Sequence, residues 1–104
     1  MPRVMVDASL AGFQRNAAKS VAMLKALSNG KRLMILCKLL EHGEMNVMDL
    51  SAAVGLSQSA LSQHLALMRE RNMIGFTRKA QQVFYRVTDP RVRRILLTLK
   101  DIYC

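Results

Sequence analysis

Two short stretches with a helical pattern, joined by a turn that contains a glycine, constrain the fold of this chain more than any other feature. The first covers about 47–54 after Asn46, and the second covers about 58–71 after Ser57. Asn and Ser are preferred N-caps, because their side-chain oxygens accept hydrogen bonds from the free backbone N–H groups at the start of a helix. Gly55 in the turn completes a pattern that is typical of a helix-turn-helix.

After the second of these helices the hydrophobic pattern changes from helical to alternating. Apolar residues alternate with polar ones over two short segments, which predicts two strands. The alternating apolar residues are Ile74, Phe76, Val83, Tyr85 and Val87. Residues 78–82 between them are polar and basic, as expected of a hairpin tip. The sequence therefore predicts a β-hairpin directly after the helix-turn-helix.

Two helices are expected before this unit. The stretch 10–27 places apolar residues three or four positions apart, which predicts one helix with a single apolar face. The residues on that face are Phe13, Ala17, Val21, Leu24 and Leu27. We expect Ser28 to cap a second helix over about 30–41, and Gly43 to end it in a left-handed conformation. The residues predicted to share the buried face of this second helix are Leu33, Leu36, Cys37 and Leu40.

One helix is expected after the hairpin. Asp89 supplies an N-cap, and Pro90 supplies a first helical residue, where its missing N–H costs nothing. The apolar side of this helix, which runs nearly to residue 104, consists of Val92, Ile95, Leu96, Leu99 and Ile102. A chain of 104 residues has room for one core. We therefore predict a single domain over 1–104, mainly α with a β-hairpin wing.

The basic composition favours a polyanionic partner. The chain carries 16 Lys and Arg against 7 Asp and Glu, a formal net charge of +9, and such side chains neutralise phosphates. Membrane surfaces and acidic proteins attract the same charge, so charge alone leaves them open. The longest apolar run, 33–37, is too short to span a bilayer. Because the N-terminus with Arg3 and Asp7 lacks the apolar core of a signal peptide, we expect a cytoplasmic location with reduced thiols and no membrane partner.

The second helix of the helix-turn-helix carries the most specific functional signal. Its apolar residues Leu61, Leu65 and Met68 share one face, which leaves neutral polar side chains facing outward in its N-terminal half. Those outward residues are Gln58, Ser59, Ser62 and Gln63. They suit base edges in the major groove, and the two serines can instead hold phosphates at the positive end of the helix. A polar helix face can also be merely solvated, but the basic hairpin and the net charge favour DNA.

The hairpin and one histidine are further candidates for DNA contact. The hairpin residues placed to reach phosphates or a minor groove are Arg78, Lys79, Gln81, Gln82 and Arg86. Such contacts add affinity with little sequence information, and the alternative for each residue is a solvated charge. His64 is predicted to contact a base, a phosphate or a metal, and the alternative is a packed or solvated imidazole.

The segments 27–36 and 58–69 are similar to the corresponding helices of the ArsR/SmtB family of winged-helix repressors. The resemblance covers nearly the whole chain. It implies that the first and last helices form a dimer interface, so that a two-fold homodimer would bind double-stranded operator DNA at a near-palindromic site.

Many members of that family release DNA on binding a metal, but both usual metal sites look absent. The thiolate motif would fall on 44–50, where Asn46 and Met48 stand in place of its cysteines. An amide and a thioether are poor substitutes for thiolates at a soft divalent ion. The other site needs histidines on the last helix, and residues 89–104 contain none. No metal or other cofactor is therefore expected.

The two cysteines suggest a different input. Cys37 and Cys104 match the pattern of the dithiol subgroup of BigR-, SqrR- and HlyU-like regulators. That resemblance implies that a persulfide or oxidant converts the pair to a disulfide or polysulfide bridge and changes DNA affinity. Chemically, one thiolate attacks the inducer and the second thiol resolves the product. The alternatives are that Cys37 is an apolar core residue and that Cys104 lies in a disordered terminus.

The sequence thus predicts a homodimeric, sequence-specific transcriptional repressor switched by Cys37 and Cys104. One alternative is an HlyU-like derepressor that competes with a nucleoid protein without sensing thiols. Another is an atypical metal sensor, whose ligands would come from Cys37, Cys104, His42 and His64. An enzyme is not expected, because the chain has no nucleophile elbow, glycine-rich phosphate loop or suitably spaced pair of carboxylates.

Overall fold

The computed structural model describes residues 10–104, so the absence of a signal peptide, which was inferred around Arg3 and Asp7, concerns residues outside the described part. The helices are α1 (Leu10–Arg15), α2 (Ala17–Leu27), α3 (Gly30–His42), α4 (Val47–Val54), α5 (Gln58–Glu70) and α6 (Pro90–Tyr103), and the strands are β1 (Met45–Asn46), β2 (Ile74–Lys79) and β3 (Gln82–Val87). The predicted helical fold with a hairpin wing is confirmed. Over the described range, no helix is long and apolar enough to cross a membrane.

Side-chain caps begin three of the helices where the sequence predicts them. The Asn46 Oδ1 accepts a hydrogen bond from the Asp49 N–H at 2.8 Å and so starts α4. The Ser57 Oγ accepts one from the Ala60 N–H at 3.1 Å and so starts α5. Asp89 caps α6 in the same way. These boundaries therefore follow from local chemistry, because each cap satisfies a backbone donor that the helix leaves free.

The cap predicted for α3 is wrong by one residue. Asn29 rather than Ser28 starts the helix, since its Oδ1 accepts hydrogen bonds from the backbone N–H groups of Lys31 and Arg32, both at 3.0 Å. Ser28 is instead the residue that ends α2, where its N–H donates to the Leu24 carbonyl. The turn between α2 and α3 is consequently short, and the two helices lie against each other.

The single helix predicted over 10–27 is interrupted at Asn16. The Asn16 N–H donates to the Phe13 carbonyl at 2.9 Å, and its Nδ2 donates to the Gly12 carbonyl at 3.2 Å. Asn side chains compete with backbone groups for such bonds and so disfavour the interior of a helix. The chain therefore turns between α1 and α2, although the apolar spacing continues through the break.

The buried face of α3 also differs from the predicted one. Ile35, Leu36 and Leu39 are fully buried, whereas Cys37 is exposed. Leu33 and Leu40 only flank the core. Apolar residues cover more than half of the helix circumference, so their spacing alone does not select the face that packs inward.

The core lies between α3, the helix-turn-helix and the first turns of α6. Its largest fully buried side chains are Ile35, Leu36, Leu39, Leu50, Leu61, Leu65, Met68, Met73 and Val92. Burial of each such side chain stabilises the fold by roughly 1.5–3 kcal/mol relative to exposure. This core holds α4 and α5 rigidly, which fixes the residues on their outer surfaces.

Two basic residues at the start of α3 fasten the ends of neighbouring helices. The Lys31 Nζ donates to the Val54 carbonyl at the end of α4, at 3.0 Å. The Arg32 Nε donates to the Ala26 carbonyl near the end of α2, at 2.6 Å. The last carbonyls of a helix lack partners within it and attract cations. These bonds therefore join α3 to both α2 and α4.

The wing is part of a three-stranded antiparallel sheet in the order β1-β3-β2. The hairpin of β2 and β3 is the predicted one, with Lys79 opposite Gln82 at its tip. The strand β1 was not predicted, and it places Asn46 opposite Phe84. Because β1 directly precedes α4, the wing is paired to the segment that begins the helix-turn-helix.

Candidate nucleic-acid interface

A left-handed glycine sets the angle between α4 and α5. Gly55 has φ 69° and ψ 39°, and its N–H donates to the Ser51 carbonyl at 3.0 Å. The Ser51 hydroxyl donates to the Leu56 carbonyl across the same turn. A residue with a Cβ is strained in this conformation. The turn thus holds α5 as a protruding second helix.

The polar residues predicted to read DNA are all exposed on α5. Leu61, Leu65 and Met68 are buried on its inner face, as predicted. The exposed residues of the outer face are Gln58, Ser59, Ser62 and Gln63. Ser59 and Gln63 are four residues apart and so lie one above the other near the middle of this face. The structure therefore brings together a row of neutral donors and acceptors.

His64 differs from the rest of this row because it is half-buried. Burial lowers the pKa of its imidazole, and the nearby positive charge of Arg32 lowers it further. A lowered pKa keeps the ring neutral at pH 7, where it can donate or accept a hydrogen bond but carries no positive charge. Of its predicted roles, a cationic contact to phosphate is therefore the least suited to this environment.

The residues predicted on the wing fall into two groups. Arg78 and Gln81 are exposed at the tip. Lys79 forms an ion pair with Glu44 and lies 5.1 Å from the centre of the Phe84 ring. The other two predicted residues also bind side chains of this chain. Gln82 accepts a hydrogen bond from Asn46, and Arg86 donates one to Thr77.

Sequence reasoning missed an aromatic contact that connects α5 to the wing. The Arg69 guanidinium lies 4.5 Å from the centre of the Phe76 ring, and the Phe76 and Tyr85 ring centres are 5.7 Å apart. A guanidinium over an aromatic face is attracted by the negative face of the ring. The sequence shows Arg69 near the end of a helix and Phe76 in an alternating strand. It does not show that the two side chains are in contact, because that contact depends on the angle between α5 and the hairpin.

Both thiols are free and exposed. The alternative that Cys37 is a core residue is therefore wrong. Cys104 follows α6 directly, and its N–H donates to the Lys100 carbonyl at 2.9 Å, so its backbone continues the helical pattern. Partial burial raises the pKa of the Cys37 thiol, the Glu41 carboxylate raises it further, and Lys38 lowers it. At neutral pH Cys37 is consequently held in its less nucleophilic, protonated form.

This environment predicts slow alkylation of Cys37 that accelerates as the pH rises. The thiolate is the reactive species, and a raised pKa moves its formation to higher pH. Replacing Glu41 with glutamine removes the nearby negative charge, so we expect the rate at pH 7 to rise about two- to fivefold, as suits an exposed charge pair. Iodoacetamide labelling followed by mass spectrometry measures the rate, in a C104S background. An unchanged or lower rate in Glu41→Gln would contradict this assignment.

No three His, Cys, Asp or Glu side chains come together as a group that could hold a metal ion anywhere in 10–104. The donors considered for an atypical metal site are Cys37, Cys104, His42 and His64. A single chain in this conformation therefore does not assemble them into a ligand set.

Several of the exposed large apolar side chains lie in the first and last helical segments of the described chain. In α1 and α2 these are Leu10, Phe13, Val21 and Leu24, with exposed fractions of 51%, 54%, 47% and 60%. In α6 they are Leu97, Ile102 and Tyr103, at 43%, 64% and 80%. Exposed apolar side chains that group on one surface mark interaction sites on soluble proteins. The side chains of this set lie on the first and last helical parts of the chain, away from the outer face of α5 in sequence.

Three comparisons with known proteins agree with this architecture. Residues 29–74 match the family described as "Bacterial regulatory protein, arsR family". The chain is 43% identical to the transcriptional activator HlyU of Vibrio cholerae, over 92% of this chain and 88% of HlyU. It is 35% identical to the biofilm growth-associated repressor of Xylella fastidiosa, over 88% of this chain and 80% of the repressor. The structure of reduced HlyU from Vibrio cholerae has a TM-score of 0.82 at 43% identity and covers 89% of this chain and 97% of that chain.

Proposed function

This chain belongs to the arsR family of bacterial regulatory proteins, and we propose that it acts in the cytoplasm as a homodimeric repressor whose hold on operator DNA is switched by its two thiols. Its relatives are named as transcriptional regulators, which agrees with the prediction that it is not an enzyme. The operator contacts, the homodimer and the thiol switch are each supported by a separate feature of the structure.

The observation that carries the proposal is the outer face of α5. Its exposed side chains Gln58, Ser59, Ser62 and Gln63 are neutral and polar, which suits base edges in the major groove, although the two serines can also hold phosphates. The neighbouring wing exposes Arg78 at its tip. Arginine there supplies affinity for the phosphate backbone or a narrow minor groove. Base contacts from α5 with backbone contacts from the wing are the arrangement of a sequence-specific binder.

The exposed apolar faces of α1, α2 and α6 support a dimer. A second copy would cover them, because two-fold association places the same surface of each subunit against the other. A dimer also presents two α5 helices, and two half-sites held at once give far higher affinity than one.

The two free thiols support the switch. Cys37 lies in α3 and Cys104 follows α6, so a bond between them would tie a helix of the core to a helix of the proposed dimer face. Such a tie changes the spacing between the two α5 helices by moving α6. The raised pKa of Cys37 lowers its thiolate fraction at neutral pH, which disfavours Cys37 as the attacking thiol. A close structural relative was solved in a form described as reduced, which is consistent with more than one thiol state in such proteins.

The decisive experiment compares operator binding by reduced and persulfide-treated protein. Fluorescence anisotropy at fixed salt, with duplex from the promoter upstream of the protein's own gene, should show a loss of affinity on treatment with glutathione persulfide. Reductant should restore it. Cys37→Ser and Cys104→Ser should bind the operator as wild type does and no longer respond. A cysteine variant that still responds would rule out the switch, while the DNA-binding proposal would stand.

A second candidate is a derepressor that competes with a nucleoid protein for promoter DNA. The observation in its favour is the name of the relative HlyU, a transcriptional activator at 43% identity, against 35% for the repressor of Xylella fastidiosa. Both mechanisms need the same α5 face, so binding alone does not separate them. Deleting the gene and measuring neighbouring transcripts does, because a repressor's targets rise and a derepressor's targets fall.

A further inference from the structure

The Asn46 side chain makes two hydrogen bonds, one to α4 and one to the wing. Its Oδ1 caps α4 by accepting the Asp49 N–H at 2.8 Å, and its Nδ2 donates to the Gln82 Oε1 at 2.9 Å. Gln82 is the first residue of β3, 36 positions further along the chain. One side chain thus joins the start of the helix-turn-helix to the tip end of the wing.

A second tie runs between the same two regions. Glu44, just before β1, forms an ion pair with Lys79 at the end of β2. Lys79 reaches it past the Phe84 ring, whose centre is 5.1 Å from the Nζ. In the sheet register Lys79 lies opposite Gln82, and Phe84 lies opposite Asn46. Residues opposite each other, or two apart on one strand, share a face of the sheet, so both ties lie on one face.

The wing needs such support because little else holds its outer half. The strand β1 is only two residues long and pairs with β3 at residues 84 and 85. Beyond that pairing the tip is a two-stranded ribbon, and isolated ribbons of this kind are marginally stable in water. The two ties begin where the β1 pairing ends. They therefore set the angle of the tip relative to α4 and, through the short turn, relative to α5.

We propose that Asn46 is a positioning residue for the wing, and that Gln82 and Lys79 act by holding the wing rather than by contacting DNA. Arg78 and Gln81, at the exposed tip, are then the wing residues left to contact DNA. This inference rests on the proposed DNA-binding function for its effect on affinity. The ties themselves exist in the free protein, so they can be tested without DNA.

The test is a double-mutant cycle on the Asn46–Gln82 bond. Asn46→Ser keeps a side-chain oxygen able to cap α4 but lacks an amide that reaches Gln82, and Gln82→Ala removes the acceptor. Each single variant should lower operator affinity about two- to tenfold, the range of one hydrogen bond. The double variant should lose no more affinity than the single variant that binds more weakly, because both substitutions remove the same bond. Gln81→Ala is the matched control, and its effect should add to that of Asn46→Ser.

Amide hydrogen exchange on the free protein supplies the second readout. Residues 78–83 should exchange faster in Gln82→Ala and in Asn46→Ser, while α5 keeps its protection. Because Gln82 is exposed, we expect Gln82→Ala to fold even if Asn46→Ser does not. The hydrogen-exchange rate of residues 78–83 in Gln82→Ala is then sufficient to test the proposal. Unchanged exchange in Gln82→Ala overturns the proposal, and so does a loss of affinity in Gln82→Ala that is additive with Asn46→Ser. If the wing loosens but the wild type shows no operator preference, the positioning role stands and the proposed function fails.

Discussion

Replacing Leu24 with lysine is expected to turn a dimer into monomers and to lower operator affinity by about a hundredfold or more, the factor that simultaneous binding of two sites contributes. Leu24 is 60% exposed in a single chain, so a lysine there costs the isolated subunit little. In a dimer formed through α1, α2 and α6, the same lysine would be a charge buried in an apolar contact, which is strongly unfavourable. The added positive charge would favour DNA, so a loss of affinity points to the lost partner.

Sedimentation equilibrium measures the first effect and fluorescence anisotropy the second. Ala22→Lys is the matched control, because it adds the same side chain to α2 on a side turned away from Leu24 and Val21. It should remain dimeric and bind the operator at least as tightly as wild type. A Leu24→Lys protein that stays dimeric with full affinity would show that the partner does not sit on this face.

Replacing Gln63 with alanine should lower operator affinity about ten- to a hundredfold and leave binding to unrelated duplex nearly unchanged. A side-chain amide that bonds a base edge contributes roughly 1–3 kcal/mol of discrimination, and Gln63 lies at the middle of the outer face of α5. Its exposure means that the substitution removes no contact of the core. The melting temperature of the variant should therefore change no more than it does for an ordinary surface substitution.

The measurement is anisotropy titration with operator and with a scrambled duplex, at one salt concentration. Glu70→Ala serves as the control, since Glu70 is an exposed residue on the same face of α5, two turns beyond Gln63. Equal losses on both duplexes would assign Gln63 to the phosphate backbone. Wild-type affinity on the operator would mean that Gln63 is only solvated.

Local side-chain chemistry made the starts of α4, α5 and α6 predictable from the sequence. The caps Asn46, Ser57 and Asp89 bond backbone groups two or three residues away, so neighbouring residues decide them. At the α3 start the sequence presents two adjacent capping residues, Ser28 and Asn29. Only the backbone path decides which of these points its oxygen at the helix, and the structure favours Asn29.

Periodicity did not select the buried face of α3, because apolar residues cover more than half of the circumference of that helix. Met34 and Cys37 are as apolar as Ile35 and Leu39, yet the first pair is exposed and the second is fully buried. The direction that packs inward depends on the helices and strands that arrive from elsewhere in the chain.

The wing shows the limit of sequence reasoning at the site itself. All of its polar residues look alike as candidates for DNA contact. In the structure Arg78 is exposed at the tip, whereas Gln82 is hydrogen-bonded to Asn46 of β1. That difference depends on β1, which at two residues is too short to show an alternating pattern. A shift of one residue in the pairing of β1 with β3 would turn the Asn46 side chain to the opposite face of the sheet, away from Gln82. Such a contact, made across 36 residues, has no local signature.

The two basic residues that fasten α3 have a consequence for how salt weakens binding. Affinity for duplex DNA falls on a logarithmic plot with a slope of about 0.9 for each phosphate neutralised. Lys31 and Arg32 already donate to the carbonyls of Val54 and Ala26, and Lys79 pairs with Glu44, so each would have to give up a bond within the chain before it could neutralise a phosphate. The formal charge of +9 therefore overstates the phosphates that one subunit can neutralise, and part of the chain's basicity serves its own helices instead.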